Sequence, residues 1–325
     1  MRSIIIGAFV LTLILVAPRV AHDLHSEVPP ELSKEPATLL FVGDIMLARD
    51  VENYLDREGA AYPFKQISHL LPQYDAVIGN FEAVVSEPHV KALPFTFQFS
   101  VRPEYLKGLQ EASFDILSLA NNHSSDYGNA AIELTKQLCL EYGLRCVGDA
   151  RRAETFVHEV HNVRLGFLFA NTTWNTESTE TLLALMREIA TKSDIQIAYI
   201  HWGTEYELIH NREQQVLAEG LIDAGADAVI GHHPHVVQDV AFYKEKPIFY
   251  SLGNFIFDQY WNEHVQTGLG VEMRIEKDQI EYQAIPFTRK DSRNQPAVME
   301  GENAEALLGR IFAGTGVHEQ FTVAR

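Results

Sequence analysis

The histidine-rich stretch GHHPHVVQ, residues 231–238, directly follows the apolar run AVI of residues 228–230. This pattern predicts a short buried strand that ends in a histidine-dense turn. Imidazole is the commonest side-chain ligand for transition metals, and the proline between His233 and His235 stiffens the turn that presents them. Three imidazoles within four positions therefore favour a metal site over an ordinary surface cluster.

The same arrangement, an apolar run that meets a polar cluster, recurs along the chain. The other runs interpreted as strands are residues 38–42 (TLLFV), 76–78 (AVI), 115–120 (DILSLA), 195–200 (IQIAYI) and 247–252 (PIFYSL). They lack regular alternation of polar and apolar residues, which is typical of strands buried on both faces. Residues 129–141 and 212–224 have apolar residues at helical spacing, and Gly143 and Gly225 follow them as helix stops.

Strands that alternate with helices predict an α/β fold, in which ligands bind outside the carboxyl ends of the strands. The polar clusters follow the predicted strands, so they are expected to converge although they are spread over roughly two hundred residues. Ordinary turn formation explains any single cluster, but it explains the whole set poorly. Carboxylate, amide and imidazole ligands together suit zinc, manganese or iron, and two such ions about 3.5–4 Å apart can activate a water.

Six blocks of the chain resemble, in the right order, the bacterial capsule-synthesis protein CapA family. They are GDIMLARD (43–50), NFE (80–82), LANNHSSDYG (119–128), HWGTEYE (201–207), GADAVIGHHPHVVQ (225–238) and YSLGNFIFDQ (250–259). The resemblance covers roughly residues 37–286. It implies a calcineurin-like metallophosphoesterase fold, which is a four-layer α/β/β/α sandwich, and an association with poly-γ-glutamate capsule production.

The resemblance also implies site residues. A centre for one or two divalent ions (Mn, Zn or Fe) would have as ligands Asp44, Glu82, Asn122, His201, His233 and His235. His232 competes with His233, because the Gly-His spacing favours the former and the His-x-His spacing the latter.

Three further residues have expected roles near the reacting group. His123 is expected to stabilise or protonate the leaving oxygen rather than bind metal. Asp126 would orient His123 or, alternatively, cap the following helix. Arg49 would hold a substrate carboxylate or phosphate, or instead pair with Asp50 or Glu52.

Three functions are compatible with these residues. The first is a metal-dependent hydrolase or transferase acting on the capsule polymer or its small-molecule precursor, which the retained His123 favours. The second is a non-catalytic accessory subunit of a membrane-bound capsule synthesis and export complex. The third is a phosphomonoesterase or phosphodiesterase. Metallophosphoesterases usually carry a histidine two residues after the first aspartate, so Met46 at that position counts against the third function.

Charge narrows the choice of partners. The 325-residue chain has 44 acidic and 26 basic residues and a formal charge of −18. This balance repels nucleic acid, so no nucleic-acid partner is expected. An anionic polymer would have to bind at the metal cleft, where cations reverse the local sign.

The amino terminus predicts export, to the periplasm or the cell exterior. Arg2 precedes a fourteen-residue apolar stretch, residues 4–17, which is shorter than a membrane span and typical of a signal-peptide core. Arg19 makes cleavage after Ala21 poor, so an uncleaved anchor is the alternative. The predicted organisation is therefore a signal peptide or anchor (1–21), a polar spacer (22–36), one domain (37–286), and a carboxyl-terminal loop and helix packed on it (287–325).

The chain has two cysteines, Cys139 and Cys146. A bridge between them would close a short loop around Gly143, and a pair of buried reduced thiols is the alternative.

Overall fold

The computed structural model describes residues 35–174 and 176–325. The strands, numbered along the chain, are β1 (Ala37–Ile45), β2 (Ala76–Phe81), β3 (Val84–Val85), β4 (Ser100–Val101), β5 (Ile116–Ser118), β6 (Arg145–Val147), β7 (Glu154–Val160), β8 (Val163–Asn171), β9 (Ile195–His201), β10 (Ala228–His232), β11 (Val240–Tyr243), β12 (Lys246–Phe249), β13 (Asn254–Ile256), β14 (Thr267–Ile275), β15 (Gln279–Thr288), β16 (Ala297–Val298) and β17 (Gln320–Ala324). The α-helices are α1 (Arg49–Glu58), α2 (Leu106–Glu111), α3 (Asn129–Glu141), α4 (Thr179–Ala190), α5 (Arg212–Asp223) and α6 (Glu302–Ile311).

The segment expected to be a signal peptide or anchor, residues 1–21, lies outside the described residues, as does most of the expected spacer. Among the helices of the described part, none is both long enough and apolar enough to cross a bilayer.

Two large sheets form the centre of the fold. The first has the order β16-β15-β14-β1-β2-β5-β6, with β13 beside the end of β1 and β17 beside β15. The second has the order β11-β12-β10-β9-β8-β7. Strands β1, β2, β5 and β6 run parallel in the first sheet, as do β8, β9, β10 and β12 in the second. The carboxyl ends of each parallel set therefore share one edge.

Strand β1 shows how the first sheet is buried on both faces. Leu39 and Phe41 belong to the apolar layer between the two sheets, where the Phe41 ring lies 6.5 Å from that of Phe167 on β8. The intervening residues Leu40 and Val42 belong to the layer that includes α1, α2 and α3. Each such side chain contributes roughly 1.5–3 kcal/mol when it is fully buried.

The second sheet is also buried on both faces, one packed on the first sheet and the other covered by helices. Phe167 and Phe169 of β8 belong to the apolar layer between the sheets, whereas Leu168 and Ala170 belong to the cluster that includes residues of α4 and α5, such as Leu217. Helices therefore cover the outer face of each sheet. This is the four-layer α/β/β/α sandwich implied by the family resemblance, and the predicted fold class is confirmed.

The helices and strands predicted from the sequence are found with small changes of boundary. Each of the six apolar runs lies in or overlaps a strand. Helix α3 has the predicted bounds, and α5 begins at a capping box in which the Asn211 side chain accepts from Gln214 N and the Gln214 side chain from Asn211 N. The hairpins β7–β8 and β14–β15 and the last strand β17 were not predicted.

Two further features concern the cysteines and the carboxyl-terminal part. Cys139 on α3 and Cys146 on β6 are joined in a disulfide, with 5.9 Å between their Cα atoms. Residues 287–325 contain α6, whose Ile311 lies in the apolar layer between the sheets, and also β17, which pairs antiparallel with β15.

Candidate metal centre

Polar side chains from both sheets meet at the shared edge of their carboxyl strand ends. Asp44 lies near the end of β1, Glu82 directly after β2, and His201 at the end of β9. One ligand atom from each of these three residues lies within 4.8 Å of the others, and all three side chains are at most 1% exposed. The structure therefore brings together residues that are far apart in sequence.

Asp44 is the most heavily surrounded member of this group. Its Oδ1 lies 3.3 Å from His232 Nδ1 and accepts a 2.9 Å hydrogen bond from Asn80 Nδ2. Its Oδ2 lies 3.2 Å from His235 Nδ1 but has no well-aligned hydrogen bond within the described residues. Burial alone would raise the pKa of Asp44, but the neighbouring His232 and His235 rings outweigh it and hold this pKa well below its usual range.

Asn80, from the NFE block, lies at the centre of the group and was not predicted as a site residue. Its Nδ2 lies 2.9 Å from Asp44 Oδ1, 3.0 Å from Glu82 Oε1 and 3.2 Å from His201 Nδ1. Asn121 Nδ2 donates to Asn80 Oδ1 at 3.2 Å, so the amide hydrogens of Asn80 face the carboxylates. Its position at the end of a buried strand was the sequence signal that could have identified it.

Glu82 lies in an environment that disfavours a negative charge. Burial and then the Asp44 charge raise the pKa of Glu82 well above its usual range. Within the described residues, neither Asp44 nor Glu82 forms an ion pair with a lysine or arginine. A cation is the partner that this pair of buried carboxylates lacks, because isolated buried charges are costly.

His201 is held between the carboxylates and Asn122. Its Nε2 lies 2.7 Å from Asn122 Oδ1, and its Nδ1 lies 3.8 Å from Glu82 Oε1. Burial, followed by the charge of His233, lowers the pKa of His201 well below its usual value. The neutral ring is therefore favoured, which is the form that binds a metal.

The histidine turn brings three rings into the site, two of them on left-handed backbone. His233 has a φ of 98° and His235 a φ of 59°. Burial lowers the pKa of His233 to about 3, and His235 contributes to this shift. His233 Nδ1 and both nitrogens of His232 are buried without a hydrogen-bond partner among the described side chains and backbone.

The open choice between His232 and His233 now has a geometric basis. His232 lies on the Asp44 side, 3.3 Å from its Oδ1, with its ring against Tyr199. The His233 ring lies 4.7 Å from that of His201 (centroid to centroid), and ligand atoms of His233, His235 and Glu205 are all within 4.8 Å of one another. Both rings lie near candidate ligands, so His232 and His233 are not mutually exclusive as ligands.

These orphaned atoms and donor types fit a divalent cation. Buried acceptors without hydrogen bonds include Asp44 Oδ2 and Glu82 Oε2, besides the ring nitrogens of the histidine turn. Mixed oxygen and nitrogen ligation of this kind suits zinc, manganese or iron. Glu205 was not predicted from the sequence, although it lies within the HWGTEYE block.

His123 and Asp126 form a separate pair beside the candidate metal ligands. His123 Nδ1 lies 3.0 Å from Asp126 Oδ2, and the ring packs on Phe99 with 4.2 Å between ring centroids. Asp126 Oδ2 also accepts from the backbone N–H of Phe99 at 2.8 Å. The first residue before α3 is Gly128 and has no side-chain cap, so the Asp126 carboxylate contacts His123 and does not cap the helix.

Arg49 lies next to this pair but is already engaged. Its guanidinium forms an ion pair with Asp258 and lies 4.7 Å from the centre of the Phe99 ring and 5.6 Å from that of Phe257. The pairing with Asp50 or Glu52 that was considered as an alternative is not the one observed. Arg49 therefore supports the aromatic wall of the site, and a substrate anion would have to compete with Asp258.

Met46 stands where metallophosphoesterases usually carry a histidine, and its surroundings are apolar. Its side chain is fully buried in the apolar layer on the helix side of the first sheet. Its sulfur lies 3.0 Å from Ala48 N and accepts that N–H. The residue is therefore part of the core and offers nothing to a metal at the edge of the sheet.

With this geometry established, comparison with known proteins identifies the family. Residues 38–259 match the family model described as "Bacterial capsule synthesis protein PGA_cap". The chain belongs to this family. It is 34% identical over 259 residues to the capsule biosynthesis protein CapA of Bacillus anthracis, a match that covers 72% of this chain and 63% of the relative. It is 33% identical over 257 residues to the PGA biosynthesis protein CapA of Bacillus subtilis (strain 168), covering 73% and 67%.

A more distant relative is named as an accessory protein. The "Probable polyglutamine synthesis accessory protein" of Mycobacterium tuberculosis (strain CDC 1551 / Oshkosh) is 26% identical over 189 residues, which are 49% of this chain and 50% of the relative. The chain thus spans about two thirds or less of the length of these relatives.

Proposed function

We propose that this capsule-family chain is a metal-dependent hydrolase or transferase that acts on a poly-γ-glutamate-type capsule polymer or on its small-molecule precursor. The observation that carries the proposal is the pair of buried carboxylates, Asp44 and Glu82, which face histidine rings and lack a lysine or arginine partner in the described part of the chain. Such a pair is expensive to maintain unless a cation completes it.

The residues divide into ligands and proton carriers. Asp44, Glu82, Asn122, His201, His233 and His235, with His232 adjoining, would hold one or two divalent ions. Bound there, manganese, zinc or iron would supply Lewis acidity, which lowers the pKa of a water and polarises the scissile group.

The proton carrier is His123. Because Asp126 occupies its Nδ1, Nε2 is the nitrogen left to hold a proton. When the scissile bond breaks, the leaving oxygen or nitrogen would take that proton from Nε2, and the hydroxyl of a water or the oxygen or nitrogen of an acceptor group would take its place on the substrate. The proton that this nucleophile releases would return to Nε2. Phe99 fixes the position of the ring through their contact.

The proposed setting is outside the cytoplasm. The disulfide between Cys139 and Cys146 is typical of an oxidising compartment, which supports the export predicted from residues 1–21. A polymer of glutamate would approach a strongly acidic protein, so it is expected to bind only where bound cations reverse the local charge.

The test is an assay of the purified full chain on poly-γ-glutamate. Polymer length would be followed by gel filtration after stripping with a chelator and after return of Mn²⁺, Zn²⁺ or Fe²⁺. Metal-dependent change in polymer length that is lost in His123→Ala is expected. A chain that takes up no divalent ion would overturn the proposal.

An accessory role is the second candidate, and one surface favours it. The apolar residues of the loop before Phe99 are exposed: Val90 by 49%, Leu93 by 67%, Phe95 by 90% and Phe97 by 72%. Exposed apolar surface of this kind marks contact with another molecule, here next to the metal centre. Membrane-bound capsule synthesis subunits are the proposed partners in that case.

Complementation of a capsule-deficient strain separates the two functions. His123→Ala should fail to restore capsule if catalysis is the function, whereas Phe95→Ser with Phe97→Ser should fail if docking is the function. An artificial phosphodiester, added to the purified-chain assay as a further substrate, tests the third candidate function. Activity confined to this substrate would indicate a phosphodiesterase.

A further inference from the structure

Glu205 lies in a loop that is fixed against the histidine turn. The loop between β9 and α5 begins at Trp202, whose Nε1 donates to Tyr250 O at 2.8 Å. The backbone N–H of Tyr206, directly after Glu205, donates to Pro234 O at 2.8 Å. Pro234 lies between His233 and His235, so this bond holds Glu205 beside both rings.

The side chains facing Glu205 include a buried nitrogen without a partner. His233 is 8% exposed, and its Nδ1 has no hydrogen bond with any described residue. One ligand atom from each of Glu205, His233 and His235 lies within 4.8 Å of the other two. The Glu205 side chain is exposed, so it approaches the rings from the solvent side.

Position 46, after Asp44, does not supply a metal ligand next to Glu205, His233 and His235. The side chain at position 46, two residues after Asp44, is a methionine whose sulfur accepts the Ala48 N–H inside the apolar core. The carboxylate on the solvent side of His233 and His235 is therefore supplied by a different loop. Neither the motif comparison nor the family match assigns it a role.

We infer that Glu205, His233 and His235 form a second cation-binding position, next to the one formed by Asp44, Glu82 and His201. This inference rests on the proposed metal-dependent function and deepens it. Two imidazoles and one carboxylate suit zinc, manganese or ferrous iron and leave coordination positions open for water and substrate. Since Glu205 faces solvent whereas Asp44, Glu82 and His201 are buried, the Glu205 position is the one that exchanges its ion and meets the substrate.

The experiment is a metal titration of the stripped full chain with Zn²⁺ and with Mn²⁺, read by calorimetry and by elemental analysis after gel filtration. Glu205→Gln removes the anionic ligand and keeps the side-chain size. Glu207→Gln is the matched control, because Glu207 is an exposed acid two residues further along the same loop. Glu205→His tests rescue, because it restores a nitrogen ligand for Zn²⁺.

We expect one binding step to weaken about tenfold or more in Glu205→Gln, in line with the cost of disturbing a ligand shell. The same step should be unchanged in Glu207→Gln and at least partly restored for Zn²⁺ in Glu205→His. The melting temperature without metal should be unchanged in all three variants, since the side chain is exposed.

Two results would overturn the assignment. Equal metal affinity in Glu205→Gln and Glu207→Gln, with the wild type binding metal, excludes Glu205 as a ligand and leaves the proposed function intact. Failure of the wild type itself to bind either ion removes the proposed function together with this inference.

Discussion

Acidic side chains lie at both ends of the parallel strands, but their hydrogen bonding differs between the two ends. At the amino ends, an aspartate directly before a strand accepts from the first backbone N–H groups of the neighbouring strand. Asp75 Oδ2 accepts from Thr38 N, Asp115 Oδ2 from Val77 N, Asp194 Oδ2 from Arg164 N and Asp227 Oδ2 from Gln196 N, all at 2.8–2.9 Å. At the carboxyl ends, Asp44 Oδ2 and Glu82 Oε2 are buried without such donors in the described structure.

A short sequence that occurs twice contains both an amino-end aspartate and, directly after it, a residue of the candidate site. The sequence DAVIG occurs at residues 75–79 and again at 227–231, in β2 of the first sheet and β10 of the second. In each copy the aspartate binds the neighbouring strand. The residue after each copy, Asn80 or His232, enters the site, and each places a nitrogen within 3.3 Å of Asp44 Oδ1.

Hydrogen bonding of the buried carboxylates distinguishes residues that stabilise the fold from residues expected to serve function. A buried polar group that is satisfied by backbone N–H groups adds stability, whereas one that remains unsatisfied lowers it and is retained only for a use. The amino ends therefore belong to the scaffold and the carboxyl ends to the proposed metal centre. Four predictions, made with six substitutions, test that division.

The largest expected effect is on catalysis at the carboxyl ends. His123→Ala should lower metal-dependent turnover by about 10²–10⁴, the usual contribution of a positioned acid or base, without changing metal content. His201→Ala should lower both metal content and the metal-induced rise in melting temperature. Elemental analysis beside the polymer assay measures this, and equal metal loss in the two variants would make His123 a ligand.

The next effect compares one aspartate from each end in the metal-free protein. Asp115→Ala leaves the buried N–H of Val77 without its acceptor and should cost about 1–3 kcal/mol of unfolding free energy. Asp44→Ala loses the contacts with His232 and His235 that lower the pKa of Asp44, but it also removes the buried charge that raises the pKa of Glu82. Because these two effects oppose each other, its unfolding free energy should stay within about 1 kcal/mol of the wild type. Urea denaturation with chelator present measures both values.

Equal losses of unfolding free energy in Asp115→Ala and Asp44→Ala would contradict the proposed difference between the two strand ends. The Asp44 carboxylate would then stabilise the fold as the Asp115 carboxylate does. Metal titration is the control, because only the Asp44 variant should lose affinity.

The scaffold was largely predictable from the sequence, since buried parallel strands appear as uninterrupted apolar runs. Strand β15, QIEYQAIPFT, was missed because it alternates polar and apolar residues and is only half-buried. That alternation indicates a half-exposed strand and differs from the continuous apolar run of a strand buried on both faces. Strand β17 has the same exposed–buried alternation over five residues. Strand β8, VRLGFLFAN, is buried along nearly its whole length, so this reason does not extend to the hairpin β7–β8.

The site was predictable at the strand ends and not in the loops. Asp44, Glu82, Asn122 and His201 follow apolar runs, and the fold brings them together as expected. Glu205 could not be found in this way, because its position depends on the Tyr206–Pro234 backbone bond between two loops. Loop-to-loop contacts leave no periodic pattern in the sequence.

The third prediction concerns pH and the metal-free site. The folded pKa of Glu82 lies well above its ordinary value of 4.5, so the folded state keeps a proton that the unfolded chain releases. Stability should therefore fall as pH rises from about 4.5 toward the raised pKa. Glu82→Gln should remove this slope, since its side chain does not titrate. Urea denaturation at several pH values with chelator measures it, and identical slopes in the two proteins would contradict the assignment.

The smallest expected effect is at the amino ends. Arg164 holds the pKa of Asp194 below its usual value of 3.8 through a paired hydrogen bond, with distances of 2.8 Å and 3.1 Å to its guanidinium. A lowered carboxylate pKa adds stability above pH 3.8, and this stability is lost as pH falls through the folded value. Asp194→Asn keeps an oxygen for Arg164 N and removes the charge. It should therefore cost only about 0.2–1 kcal/mol, because the pair is partly exposed and screened. The difference between wild type and variant should shrink in high salt and vanish below the folded pKa. A difference that persists in strong acid would mean that the carboxylate acts only through its geometry, and that the two ends of the strands differ less than their charges suggest.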